Sequence, residues 1–361
     1  MSNEFDIVYE AVKNDGLNLK NAPYELTDNF DIVYEAVKND GLAIEYASLR
    51  LKNNIDIIKR ALTINEFFDI SNINELLKAS KIDITFLNNI STNLRNNIDF
   101  FKEIIKINPL SIEYASNEIK NNFDIILEIV KINGLSLKHA SSQLQNNYLI
   151  CIEAVKNNYN SCLFISSYFK NNIDFAIEAI NINSFSLEFF SDDIKNNFDI
   201  VKKAVSKNGL SLKFASNQLK NNIEIIDIAI NNYPYSYIFA SKELKKNFDL
   251  ALKIVKLKGY MLKYLSIDMK NNFNIVMEAI KNNNNSFILY YASEELKNNY
   301  WIVMEAVKKN GYRLKFASKK LQKNRNICLE AIKNNPDAYQ FIDNSFKNEK
   351  IFIPSKHYAL S

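Results

Sequence analysis

Residues 5–17, FDIVYEAVKNDGL, return letter for letter at residues 30–42, a step of 25. The same pattern restarts at Ile55, Ile98, Phe123, Tyr148, Ile173, Phe198, Ile223, Phe248, Phe273, Tyr300 and Arg325. The step stays at 25 except for 43 between Ile55 and Ile98 and 27 between Phe273 and Tyr300. The larger gap accommodates a degenerate further copy through Ile73, Leu76 and Ala79. The two added residues fall at 282–285, where the pattern expects a turn. This predicts one array over residues 1–348, irregular around 66–97, followed by a C-terminal tail or cap at 349–361.

With each copy numbered from its first residue as offset zero, offsets 2, 3, 6 and 7 are apolar; Ile125, Ile126, Ile129 and Val130 are one set. Spacings of three and four place them on one broad helix face. Ala is common at offset 6, as at Ala11, Ala154 and Ala306, and lets a neighbouring helix approach closely. Offset 11 is Gly or Pro at Gly16, Gly41, Pro109, Gly134, Gly209, Pro234, Gly259, Gly311 and Pro336. Gly supplies a left-handed helix exit and Pro stops a helix, so the long helix is expected to end there. A second apolar set follows at offsets 14, 17 and 21, for example Leu212, Ala215 and Leu219.

Offset 18 is Ser at Ser48, Ser116, Ser216, Ser318 and other copies, with Pro23 and Asp343 as exceptions. Ser and Asp accept from free amides at a helix start, and Pro is tolerated there. A short helix before this break and one helical turn after it are therefore expected. Most copies close on Asn-Asn, where one Asn suits a left-handed exit and the next caps the following long helix. Asp at offset 1, as at Asp31, Asp124 and Asp199, favours the positive end of that helix. One such unit is too small to bury its own apolar face, whereas stacked copies share a continuous core. The fold class predicted is all-α, an α-solenoid of about thirteen repeats. Leucine-rich repeats need a strand that the helical spacing denies, and tetratricopeptide, ankyrin and HEAT repeats are longer.

The pattern F-D-I-V-x-E-A-V-K-x-N-G-x-S-L-x-[YF]-A-S-x-x-L-K-N, carried well by residues 123–147 and 198–222, resembles the repeat of the domain of unknown function 4116. The resemblance covers nearly the whole chain. It implies a repeat-rich protein of a kind found in bacteria, protists and large DNA viruses, with no activity or catalytic residues to carry over. The sequence departs from that family's usual Ala, Gln and Arg toward Asn, Ile, Lys and Tyr. Those residues have A/T-rich codons, which suggests a large DNA virus or a low-GC bacterium.

Composition is that of a folded protein: 361 residues, 47% hydrophobic, 24% charged, net charge +4. Three Cys cannot build a disulfide framework, which points to a reducing compartment. No apolar run is long enough to span a bilayer, and residues 1–10 carry acids where a signal peptide carries bases. A soluble, intracellular protein is expected, in the cytoplasm of its own cell or of a host, with no membrane association.

Register tests each candidate for chemistry. All six Gly occupy offset 11, leaving none for a phosphate-cradling G-x-G-x-x-G or P-loop. Cys151, Cys162 and Cys328 occupy apolar offsets, and His139 and His357 are far apart, so neither a metal site nor a cofactor is expected. Offset 5 is Glu in nine copies, with Lys three residues later in eight, such as Glu128 and Lys131. That spacing gives a solvated, mutually neutralising ridge rather than a pair of carboxylates in unlike environments. No catalytic residue and no small-molecule substrate are predicted, and the chain is expected not to be an enzyme.

Two binding surfaces remain. Trp301, the only Trp, and Leu149 stand at offset 1, where most copies have Asp. Exposed aromatics mark protein-binding hot spots, so a protein scaffold is the leading expectation. The alternative is a nucleic-acid-binding solenoid. Its basic stripe at offset 22 comprises Lys52, Arg95, Lys120, Lys170, Lys195, Lys220, Lys245, Lys270 and Lys297. Tyr46, Tyr114, Phe214 and Phe316 at offset 16 would stack on bases. Nearby Asp at offset 1 and the small net charge count against it. The degenerate segment 66–80, with Phe67 and Phe68, is expected either to kink the array or to offer a contact surface.

Overall fold

A computed structural model describes residues 2–52, 92–282 and 287–352, with 54, 56, 57, 60, 61 and 87 between them. Among these residues every regular element is helical and no strand occurs, so the fold is all-α. The chain divides into two compact units, Met1–Ile182 and Asn183–Ser361. Each is a segment of α-solenoid built from the same copies. The segment around 66–80 lies outside the described residues.

One copy shows how the sequence writes the unit. The long helix Phe123–Ile132 buries Ile125, Ile126, Ile129 and Val130. Burying a side chain of that size contributes roughly 1.5–3 kcal/mol. Asn122 caps this helix, its side-chain oxygen accepting from the Ile125 amide at 3.1 Å. Asn133 then caps a tight 3₁₀ helix, Gly134–His139, by accepting from Leu135 at 3.1 Å. After a break at offsets 17 and 18 comes one further turn, which in the preceding copy is Asn117–Lys120, capped by Ser116. The expected long helix, short helix, break and turn are therefore all present.

Copies are joined by hydrogen bonds as well as by the core. The Ser216 amide donates to the Lys195 carbonyl at 2.9 Å, and its hydroxyl donates to Asn196 Oδ1 at 2.5 Å. The same hydroxyl accepts from the Leu219 amide at 3.2 Å. One Ser thus starts its own turn and fastens it to the copy before. The pair recurs at Ser166 with Asn146 and at Ser318 with Asn298.

Two left-handed positions were expected, and neither forms. Among the described residues no Gly and no other residue has positive φ. The first Asn of the closing pair sits near φ −100° and ψ 0°, as Asn121 and Asn196 do. Gly at offset 11 answers to space instead. A Cβ on Gly134 would lie 2.3 Å from the Ala154 carbonyl oxygen of the next copy, and one on Gly209 as near to that of Ala229. Backbone cannot be pushed aside as a flexible side chain can. The copies co-vary accordingly: Gly134 and Gly209 face Ala154 and Ala229, whereas Pro109 and Pro234 precede copies with Ile129 and Ile254 at that offset. Pro109 and Pro234 do not end the long helix, which has already stopped two residues earlier; they open the 3₁₀ helix at its first position.

Candidate functional site

The offset-22 row is placed by the 3₁₀ helix of its own copy. Lys120 Nζ donates to the Glu113 carbonyl at 2.7 Å, Lys170 to Leu163 at 2.8 Å, and Lys245 to Ile238 at 2.6 Å. These carbonyls end a helix and would otherwise lack partners. Gln145 and Gln322 fill the same offset and donate amide hydrogens to the same kind of carbonyl, Leu137 and Leu314. Capping is therefore what the position keeps, with or without a charge. Burial pushes the Lys120, Lys220, Lys245 and Lys270 ammonium groups below the ordinary lysine pKa. Arg95 reaches the Tyr114 and Leu87 carbonyls, and Lys297 pairs with Glu294. Lys52, Lys195, Lys220 and Lys270 are half-buried.

The offset-5 ridge forms on the long helices. Lys13, Lys38, Lys106 and Lys156 pair with Glu10, Glu35, Glu103 and Glu153 at 2.7–3.2 Å. Tyr148 donates a hydrogen bond to Glu178, which lifts the phenol to about 12. Cys151 and Cys328 lie in the core, each donating to the carbonyl six residues before it, Gln145 and Gln322, at 3.2 Å. Burial pushes the two thiols up to about 12 and about 11. His139 is mostly buried, its Nε2 has no hydrogen-bond partner, and Glu113 Oε2 is 4.0 Å away. Burial and then Lys138 hold its pKa below the ordinary imidazole value, against the opposing pull of Glu113. Among the described residues no group of His, Cys, Asp and Glu is arranged to hold a metal ion.

Trp301 is 66% exposed, its indole edge-on to the Tyr300 ring at 5.1 Å. The Asn299 cap that starts its helix fixes the backbone beneath it. Leu149 is 46% exposed, on the other unit. A shallow, open hollow lies between Ile267, Asp268, Asn271, Asn272, Ser293 and Glu295, where the Ser293 hydroxyl donates to Asn271 Oδ1. Near the end of the described residues Phe352 is buried, stacked on Phe346 at 5.0 Å with the Arg325 guanidinium over it.

One residue that register alone would have flagged is Arg313. It is fully buried at offset 13, where Ser111, Ser136, Ser161, Ser186, Ser211 and Ser236 stand in other copies. Nη1 reaches the Ala306 carbonyl at 3.5 Å, as Ser161 Oγ reaches Ala154 at 3.2 Å, and burial lowers the guanidinium to about 10.

Helical copies, each fastened to its neighbour by Asn and Ser, define a helical repeat protein. Ten overlapping matches to a single family model tile the chain: 4–48, 29–78, 75–120, 97–145, 122–170, 147–195, 197–245, 247–288, 284–322 and 324–353. The chain belongs to that family, the domain of unknown function DUF4116. No curated protein and no solved structure matches it. No helix among the described residues is long and apolar enough to cross a membrane.

Proposed function

We propose that the chain is a non-catalytic scaffold that presents the surface of its stacked copies to a protein partner, with Trp301 at the contact. The exposure of that single indole carries the reading. At offset 1 the fold is satisfied by Asp31, Asp99, Asp124 or Asp199, so stacking does not call for a Trp there. Large exposed aromatics are the residues that concentrate binding energy at interfaces. The non-catalytic part is supported by register. Buried Cys and His and the paired Glu and Lys all stand at offsets that stacking already uses. Leu149 breaks the same offset and is proposed as a second contact. A reducing intracellular setting goes with this reading, since Cys151, Cys162 and Cys328 are buried core residues rather than a disulfide framework.

The test is affinity capture of the full chain from its native cell with and without nuclease, beside Trp301→Ala. A protein retained after nuclease and lost with Trp301→Ala supports the scaffold. Turnover that a single carboxylate substitution abolishes would overturn the non-catalytic reading.

A further inference from the structure

The repeat provides its own control: where copies share a residue the fold needs it, and where one unit changes it the fold does not require the change. Charge is the first such difference. Residues 1–182 hold 17 Lys and Arg against 24 Asp and Glu, whereas residues 183–361 hold 28 against 17. A net charge of +4 hides a division into an acidic and a basic unit, a pattern that points to a polyanionic partner for the basic one.

The second difference lies on the 3₁₀ helices. At offset 12 the first unit has Leu17, Leu42, Leu110 and Leu135, beside Phe67 and Asn160; in the second, rings prevail, Phe185, Tyr235, Tyr260, Phe287 and Tyr312, beside Leu210 and Asp337. At offset 15 the early copies mix Glu45 and Glu113 with Lys20 and Lys138, whereas the second unit has Lys213, Lys263 and Lys315, all exposed. The acids at these offsets in the second unit are confined to its two ends, Glu188 and Asp337.

Rings and cations are assembled together. The offset-12 ring of one copy meets the offset-16 ring of the next, Tyr235 on Tyr264 at 5.3 Å and Tyr312 on Phe341 at 4.9 Å, both edge to face. Lys213 lies over Phe214 at 5.2 Å, Lys263 over Tyr264 at 5.3 Å, and Lys315 over Phe316 at 5.8 Å. At the border Lys297 lies over Tyr290 at 5.3 Å. Tyr260 and Tyr290 are among the exposed rings.

We propose that this 3₁₀-helix face of residues 183–352 binds single-stranded nucleic acid, Lys213, Lys263 and Lys315 meeting phosphates and the exposed Tyr rings stacking on bases. Cations alone would suit any polyanion. Rings beside them select a strand whose bases are unpaired, because a duplex keeps its bases stacked inside. Successive helices about 10 Å apart give a regular register for such a strand. The proposal goes beyond the scaffold reading and uses none of its contact residues.

Fluorescence anisotropy of the full chain with a fluorescein-labelled oligo(dT) of about 20 nucleotides tests it. Saturable binding is expected, weakening steeply between about 50 and 200 mM salt. Lys213→Glu/Lys263→Glu/Lys315→Glu lowers affinity at least about tenfold and reduces the salt slope by about 2. The control Lys281→Glu/Lys308→Glu/Lys333→Glu makes the same charge change on exposed long-helix lysines and has a smaller effect. Tyr260→Ala/Tyr290→Ala, at exposed rings that leave the core intact, weakens oligo(dT) by about fivefold or more and leaves polyglutamate unchanged. Absence of saturable binding, equal losses in both Lys triples, or tighter binding of duplex or polyglutamate than of oligo(dT) would each overturn the proposal. Loss of the protein partner with Trp301→Ala leaves oligo(dT) binding unchanged, so the two readings fail separately.

Discussion

Asn157 holds the end of a helix that is not its own: its Oδ1 accepts from the Gly134 amide at 2.7 Å, and its Nδ2 donates to the Lys131 carbonyl at 2.9 Å. One amide side chain thus satisfies a donor and an acceptor of the preceding copy. Asn39, Asn232 and Asn334 do the same for Gly16, Gly209 and Gly311. Where Pro stands at offset 11 there is no amide to satisfy, and the next copy has an apolar residue at the clamp position, Ile132 after Pro109 and Leu257 after Pro234.

Gly134→Ala is therefore expected to destabilise by about 1–3 kcal/mol, because its methyl must move the Ala154 backbone. Asn157→Ala removes both clamp bonds and leaves two groups without partners, a loss of about 1–3 kcal/mol. Urea denaturation of the full chain beside each variant measures both.

Ser216→Ala loses the bond from the Leu219 amide and the bond to Asn196 together, an expected loss of about 1–2 kcal/mol. Ser216→Asp keeps an acceptor for the Leu219 amide but has no hydrogen to give Asn196, so it recovers only part of the loss. The buried Ser236 hydroxyl behaves oppositely. It has no hydrogen-bond partner, and Ala43 and Ala338 occupy its offset elsewhere. Ser236→Ala is expected to be neutral or stabilising by up to about 1 kcal/mol.

The contrast between Ser216 and Ser236 shows what the sequence made legible. Apolar spacing located the long helices, and Ser at offset 18 located the turn, because both are local signals within a single copy. The reading of Gly134 as a left-handed exit failed because its constraint is the Ala154 carbonyl, 20 residues on. Lys120 stands in the row that the sequence offers to a polyanion, and its local partner, the Glu113 carbonyl, is not marked by charge pattern. Columns compared between copies carry both signals: Gln145 in the Lys column, and Ile129 and Ile254 in the Ala column after Pro109 and Pro234.

His139 gives a pH dependence of known sign. Its folded pKa lies below the ordinary value of about 6.5, so above that pH neither state binds the proton and stability is flat. As pH falls through about 6.5, the unfolded chain gains a proton that the folded one refuses. Stability then drops by up to about 1.4 kcal/mol per pH unit until the folded pKa is passed. His139→Phe, the residue type of Phe214 at the same offset, should flatten the profile between about pH 5 and 7. Urea midpoints across that range check it.

Trp301 reports its own placement. An indole 66% exposed should be strongly quenched by acrylamide in the native chain, and its emission should shift little on unfolding. The thiols behave as buried groups: none of Cys151, Cys162 and Cys328 reacts with Ellman's reagent at neutral pH until denaturant is added.

The most direct test of the scaffold claim is photo-crosslinking in the native cell. The chain carries a benzophenone amino acid in place of Trp301 or, for comparison, in place of Lys281 on the exposed ridge. One discrete protein adduct is predicted from position 301, retained after nuclease, absent from position 281 and suppressed by excess unlabelled chain. No adduct at 301, or the same products from both positions, would contradict the assignment of that surface to a protein partner.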